Sequence, residues 1–313
     1  MTSIGSILGG AFGLVRRHPL SVLVWGLLYV AAIGLLVLAM RPLFSVYAEL
    51  FSRQLAAGGK GPMNPQDLQP FMGRLQSAGG IVFLSEIGVF ALVMILFTAT
   101  QRAILRPAER GLFYLRLGGD ELRLLGLGLV LAVCLYIAMF LAMLIMFIPA
   151  AIIGFASGSP GAIALIVLVE MVVLTCAMIY VEVRLSLAFP LTFLRRSFVV
   201  GEGWRLSRGR FWTLFGAYFV IGLIYVVLAS VLVGVAVAPF FAEMAQGPNT
   251  PEAFQSAAMH LMEGFLVLDA RNAGLILGGA LLGGLVIALF GGAMATAVRD
   301  LVGAEEASPA PTA

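Results

Sequence analysis

Apolar runs of twenty or more residues recur six times along the chain, near 20–40, 80–100, 124–149, 162–183, 212–237 and 273–297. Each is long enough to cross ~30 Å of hydrocarbon as a helix, which takes about 20 residues. None shows the short alternating segments of a membrane β-barrel. The pattern predicts an all-α membrane protein with six transmembrane helices, arranged as three hairpins with interfacial segments between them. It is read as one membrane domain over residues 1–303, followed by a disordered tail over 304–313, AEEASPAPTA.

The polar stretches between the runs are patterned too. Residues 61–69 read GPMNPQDLQ and residues 247–255 read GPNTPEAFQ. In each, Asn64 or Thr250 is placed as an N-cap, with Pro65 or Pro251 in the first helical position and acids just after. One short surface helix is expected in each of these loops. The two loops align at a shift of 186 residues, and GAFGLVRR (10–17) aligns with EGWRLSRG (202–209) at a shift of 192. The first and third hairpins therefore read as diverged copies, with Phe12 matching Trp204 and Arg16 matching Arg208. The middle hairpin shares only its start, GGDELRLL (118–125), and turns through ASGSPG (156–161). All three hairpins end on one arginine: Arg102, Arg184 and Arg299.

Composition agrees with the pattern: 61% of residues are hydrophobic and 11% charged, the latter about half the share of a soluble domain. Orientation comes from the distribution of charge. If the termini share one side, that side holds 14 of the 19 basic residues and the opposite side 5. The positive-inside rule then places both termini in the cytoplasm. Arg16 and Arg17 precede the first apolar run, which is long enough to span, so it is read as a transmembrane helix and not a cleaved signal.

Chemistry-bearing patterns are scarce. Cys134 and Cys176 both lie inside apolar runs and read as small hydrophobes. His18 and His260 fall on opposite sides of the membrane, and no HExxH, GxSxG or Cys/His cluster occurs. No enzyme, cofactor, metal or nucleic-acid partner is expected. Two carboxylates do fall inside apolar runs. With Arg102 and Arg184 marking the cytoplasmic boundary, Glu86 and Glu170 lie 16 and 14 residues into the membrane, ~21–24 Å deep. Intramembrane ionisable groups cost ~2.5–3.5 kcal/mol on insertion scales, which raises a functional reading. Glu86 and Glu170 thus read either as a proton- or cation-handling site or as structural hydrogen-bonding groups, and Glu86, if the second span starts at Ile87, as a hydrated residue at the outer interface. In the sixth run, Ala280, Gly284, Ala288, Gly292 and Thr296 form a small-residue stripe, with Gly279 and Gly283 beside it. Such a stripe lets helices approach closely, inside one chain or between two in a homo-oligomer.

The segment RRSFVVGEGWRLSRGRFW (195–212) carries five arginines, Arg195, Arg196, Arg205, Arg208 and Arg210. They read as contacts to anionic lipid head groups, with Phe198, Trp204, Phe211 and Trp212 as interfacial anchors and residues 207–209 as the turn into the fifth span. Over RLSLAFPLTFLRRSFVVGEGWRLSRGRFWTLFG (184–216) the chain resembles a group of bacterial multi-pass proteins similar to the membrane domain of glycerophosphodiester phosphodiesterases. The resemblance rests on Arg184, Pro190, Ser197 and the WRLSRGRFW element, and covers about 30 of the 313 residues. It implies a stand-alone inner-membrane protein. In the enzymes that name the group catalysis resides in a separate soluble barrel, for which this chain has no room, so the activity is not carried over. The expectation is a non-enzymatic inner-membrane protein with a structural, envelope-related or lipid-interacting role. The competing expectation is a small transporter or channel component using Glu170 and Glu86.

Overall fold

Helix α1 covers Ile4–Arg17 and α2 Pro19–Ala56, while α3 runs unbroken from Pro65 to Leu105. Next come α4 (Gly119–Ser157) and α5 (Pro160–Leu185), then the short α6 (Ala188–Arg195) and α7 (Val200–Leu206). Helix α8 (Phe211–Gln246), α9 (Pro251–Gly264) and α10 (Ala270–Glu306) complete the chain. This computed structural model describes residues 3–56, 65–109, 111–157, 159–248, 250–264 and 269–306. Six of its helices are long and apolar enough to cross a membrane, so the chain is a multi-pass membrane protein. Every expected span lies within one of them.

Helix starts follow local chemistry. Proline occupies the first position of α2, α3, α5 and α9, where its missing N–H costs nothing. Thr250 caps α9, its Oγ1 accepting from the Ala253 N–H at 3.3 Å. Asn64, the expected cap of α3, lies outside the described residues. The separate surface helix expected at 61–69 is not separate over its described part: residues 65–69 form the start of the 41-residue α3. Gly79 and Gly80 weaken that helix but bring no stop signal or new cap, so it continues into the span. The later loop does break, because Asp269 starts a new helix by accepting from the Asn272 N–H at 2.7 Å. Helix α10 also extends into the expected tail as far as Glu306, and residues 307–313 lie outside the described residues.

The chain forms two compact units: residues 1–16, 97–220 and 289–313 make the first, and residues 17–96 and 221–288 the second. In the second unit the small-residue stripe of α10 packs on α2. A Cβ at Gly26 would lie 1.7 Å from the Ala280 carbonyl oxygen, and one at Gly284 2.1 Å from that of Val22. Backbone meets backbone here, so only glycine fits at either position. Beside this contact, Gly283 faces the Tyr29 ring and Gly279 faces Val30, with Trp25 fully buried. On the other side of α10 lies α8, which passes through Pro239. Proline has no N–H to give to the carbonyl four residues back, that of Val235. Arg271 supplies a donor in its place: its Nη2 donates to Val235 O at 3.3 Å, and also to Ala236 O at 2.7 Å.

In the first unit the stripe continues along α10 against α1. Gly292 meets the Ala11 backbone, and a Cβ there would stand 3.2 Å from Ala11 Cα. Helix α1 is amphipathic and buries Ile7, Ala11 and Leu14. Gly279, Gly283, Gly284 and Gly292 of α10 each lie against another helix of the chain.

Candidate functional site

The polar end of the first unit is organised around two arginines that the sequence pattern marks only as span ends. Arg102, at the end of α3, is 1% exposed. Its Nη2 forms an ion pair with Glu121 Oε1 in the first turn of α4, and its Nη1 donates to the Tyr114 carbonyl at 2.6 Å. That carbonyl is aimed by an unusual backbone: Phe113 and Tyr114 both adopt left-handed conformations, with φ of 53° and 61°. Such conformations cost non-glycine residues about 1–3 kcal/mol each and persist only where surrounding contacts impose them. The bond from Arg102 is one such contact.

Arg106, one turn further, extends the network. Its guanidinium stacks 4.4 Å from the Phe193 ring centre and donates to Phe193 O at 2.7 Å and Asp120 Oδ2 at 3.1 Å. Asp120 also accepts from Arg123 at 2.9 Å. Asp120 and Glu121 sit at the N-terminus of α4, where the helix dipole favours negative charge. Arg102, Arg106 and Arg123 are thereby matched by Asp120, Glu121 and, at 3.8 Å from Arg106, Glu109. Arg196 also reaches Glu109, at 3.6 Å, so four arginines share these three carboxylates. The network ties Tyr114, the start of α4 and the end of α6 to the end of α3.

Arg184, at the end of α5, is 6% exposed. It stacks 4.5 Å from the Trp204 ring centre and donates to Trp204 O at 2.9 Å. Trp204, expected as an interfacial anchor, is half-buried and instead covers this guanidinium. Ser207 closes the turn by donating from Oγ to Trp204 O at 2.9 Å, and Gly209 takes φ of 75° just before α8 begins. The turn expected at 207–209 is where the sequence places it. Arg299, the third arginine of the series, differs: it is exposed and lies 3.4 Å from Asp300.

The five arginines of 195–212 are all exposed, yet they are not equivalent. Arg195 pairs with Glu202 at 3.2 Å, Arg196 with Glu109 at 3.6 Å, and Arg210 donates to Leu206 O at 3.3 Å. Arg205 and Arg208 have no partner among the described residues. Phe198 and Trp212, 63% and 76% exposed, flank them in sequence. A second segment of the same kind, around Arg116, escapes sequence reasoning. Arg116 is exposed and without a partner among the described residues, and it stands between Leu112 and Leu117, which are 79% and 82% exposed. Large apolar side chains at the surface beside an unpaired arginine are the signal that could have found it.

Glu86 and Glu170 belong to different units. Glu86 is exposed and Glu170 half-buried on its helix, and neither has a hydrogen bond or ion pair among the described residues. No group of three or more metal-ligating side chains occurs among the described residues. Comparison with protein-family models, with curated proteins and with solved structures finds no match to this chain.

Proposed function

We propose that this is a non-enzymatic bacterial inner-membrane protein with an envelope-related, lipid-interacting role, its termini in the cytoplasm and its first unit in contact with anionic head groups. The observation that carries this reading is the division of labour among the arginines. Arg102, Arg106 and Arg184 are held by internal acceptors, whereas Arg116, Arg205 and Arg208 are exposed, unpaired among the described residues, and flanked in sequence by exposed large apolar side chains. Apolar side chains entering the head-group boundary with arginines above them describe an interfacial element. Each arginine near an anionic surface contributes about 1 kcal/mol. The excess of 14 basic residues against 5 supports a cytoplasmic side for this face, where anionic lipids would supply the attraction. The resemblance of residues 184–216 to stand-alone multi-pass inner-membrane proteins points the same way.

The test is reconstitution of the full chain in nanodiscs of phosphatidylethanolamine with a minority of phosphatidylglycerol, reading anionic-lipid enrichment around the protein by spin-labelled lipid. Replacing Arg116, Arg205 and Arg208 together with Gln is expected to abolish most of the enrichment, and replacing Arg195 and Arg196 to reduce it less. Unaltered enrichment in the triple variant would reject the proposal.

A further inference from the structure

A groove of about 500 Å³ lies between α8 and α10, wholly within the second unit. Leu228, Leu232 and Val235 line it from α8, and Leu275, Gly278 and Leu282 from α10. Along α10 the lining extends from Ala270 to Leu285, ~22 Å of helix at 1.5 Å per residue. That is somewhat more than the ~15 Å depth of one leaflet. Among all its lining residues only one is polar, and it stands at the N-terminal end of α10: Arg271.

Arg271 is held in place and still has donors to spare. Its Nη2 is fixed on the two carbonyls at the Pro239 kink, while Nη1 and Nε have no partner among the described residues. A guanidinium carries five N–H donors in a rigid fork suited to phosphate. An apolar channel one leaflet deep, ending in an anchored guanidinium, has the polarity of a phospholipid read from tail to phosphate.

We propose that this groove is a phospholipid site, one acyl chain lying between α8 and α10 and the phosphodiester bonded to Arg271. The site is distinct from the arginine segments of the first unit and does not depend on them. The chain end is specified by shape and the phosphate end by charge. The volume suits one extended chain and lies within the ~300–1,000 Å³ usual for ligand sites.

Native mass spectrometry of the full-length protein released from nanodiscs tests the proposal. A Cβ at Gly274 would meet nothing within 4 Å, so Gly274→Leu fills the groove mouth without disturbing the helices, and Arg271→Gln removes the charge. Wild type is expected to retain one phospholipid that both variants hold about tenfold more weakly, the size of effect for one charge-assisted contact. Diacylglycerol, which has the chains without the phosphate, is expected not to displace that lipid from wild type. Equal retention by all three proteins would overturn the site. Loss with Gly274→Leu but not with Arg271→Gln, or displacement by diacylglycerol, would overturn the phosphate contact. Disappearance of a dimer mass in Gly274→Leu would assign the groove to a second copy. If Arg271→Gln does not fold, Arg271→Lys with the same competition decides, since retention should then persist only for lipids bearing phosphate.

Discussion

Arg102 and Glu121 meet where neither side chain reaches solvent, so the last turn of α3 is tied to the first turn of α4 by a fully enclosed charge pair. Removing one partner strands the other. Glu121→Gln is expected to destabilise the protein by about 3–5 kcal/mol, whereas Arg102→Met combined with Glu121→Leu should recover most of that loss. Equilibrium unfolding in detergent micelles compares the two. A double variant no better than the single would show that the pair is needed for more than mutual neutralisation.

Gly26→Ala and Gly284→Ala each push a methyl group into a backbone carbonyl that cannot turn away. A cost of ~1–3 kcal/mol is expected for each, as for overpacking in a tight core. Gly34 lies on the same α2 and has nothing within 4 Å of an added Cβ, so Gly34→Ala should be neutral or stabilising by up to ~1 kcal/mol. Thermal midpoints of the three variants separate close approach from helix propensity.

The long apolar runs and the small-residue stripe of α10 were legible because lipid imposes them directly. One demands length and the other demands small residues at four-residue spacing. The polar network at the end of the first unit was not legible, for an equally physical reason. A terminal arginine that snorkels to the interface and one enclosed by a carboxylate 19 residues later look alike in one dimension. Arg102, Arg184 and Arg299 share a sequence position, yet two are buried and one is exposed. Leu14 and Leu206, aligned by the internal match, are both buried. Phe12 and Trp204, aligned by the same match, do different things. Phe12 is 42% exposed, and Trp204 covers a guanidinium. The repeat signal conveys position along a helix but not the partner.

Arg271 and Pro239 should be energetically coupled. Pro239→Ala returns an N–H to the Val235 carbonyl that Arg271 now serves. Arg271→Gln is therefore expected to cost less in the Pro239→Ala background, with a coupling of about 0.5–3 kcal/mol in a double-mutant cycle. Strict additivity would mean that the bonds from Arg271 contribute nothing to holding the kink.

Glu170 has no partner among the described residues and lies within an apolar helix. If its role is not transport, Glu170→Leu should raise the thermal midpoint by relieving an ionisable group in lipid, worth up to ~2.5–3.5 kcal/mol on insertion scales. A fall in stability, or loss of a proton-coupled flux in proteoliposomes with Glu170→Gln, would instead favour the transporter reading.

The pair between α3 and α4 also sets an order of events during synthesis. Glu121 follows Arg102 by 19 residues, an interval of about 1–4 s at 5–20 residues per second. Until Glu121 emerges, Arg102 lacks the carboxylate that it pairs with and must stay hydrated at the end of its span. A cation waiting there resists passage of the helix end through the membrane, so α3 is held in its final orientation while α4 is still being made. When the first turn of α4 arrives, the charge that served as a stop during insertion becomes the clasp that joins the two helices.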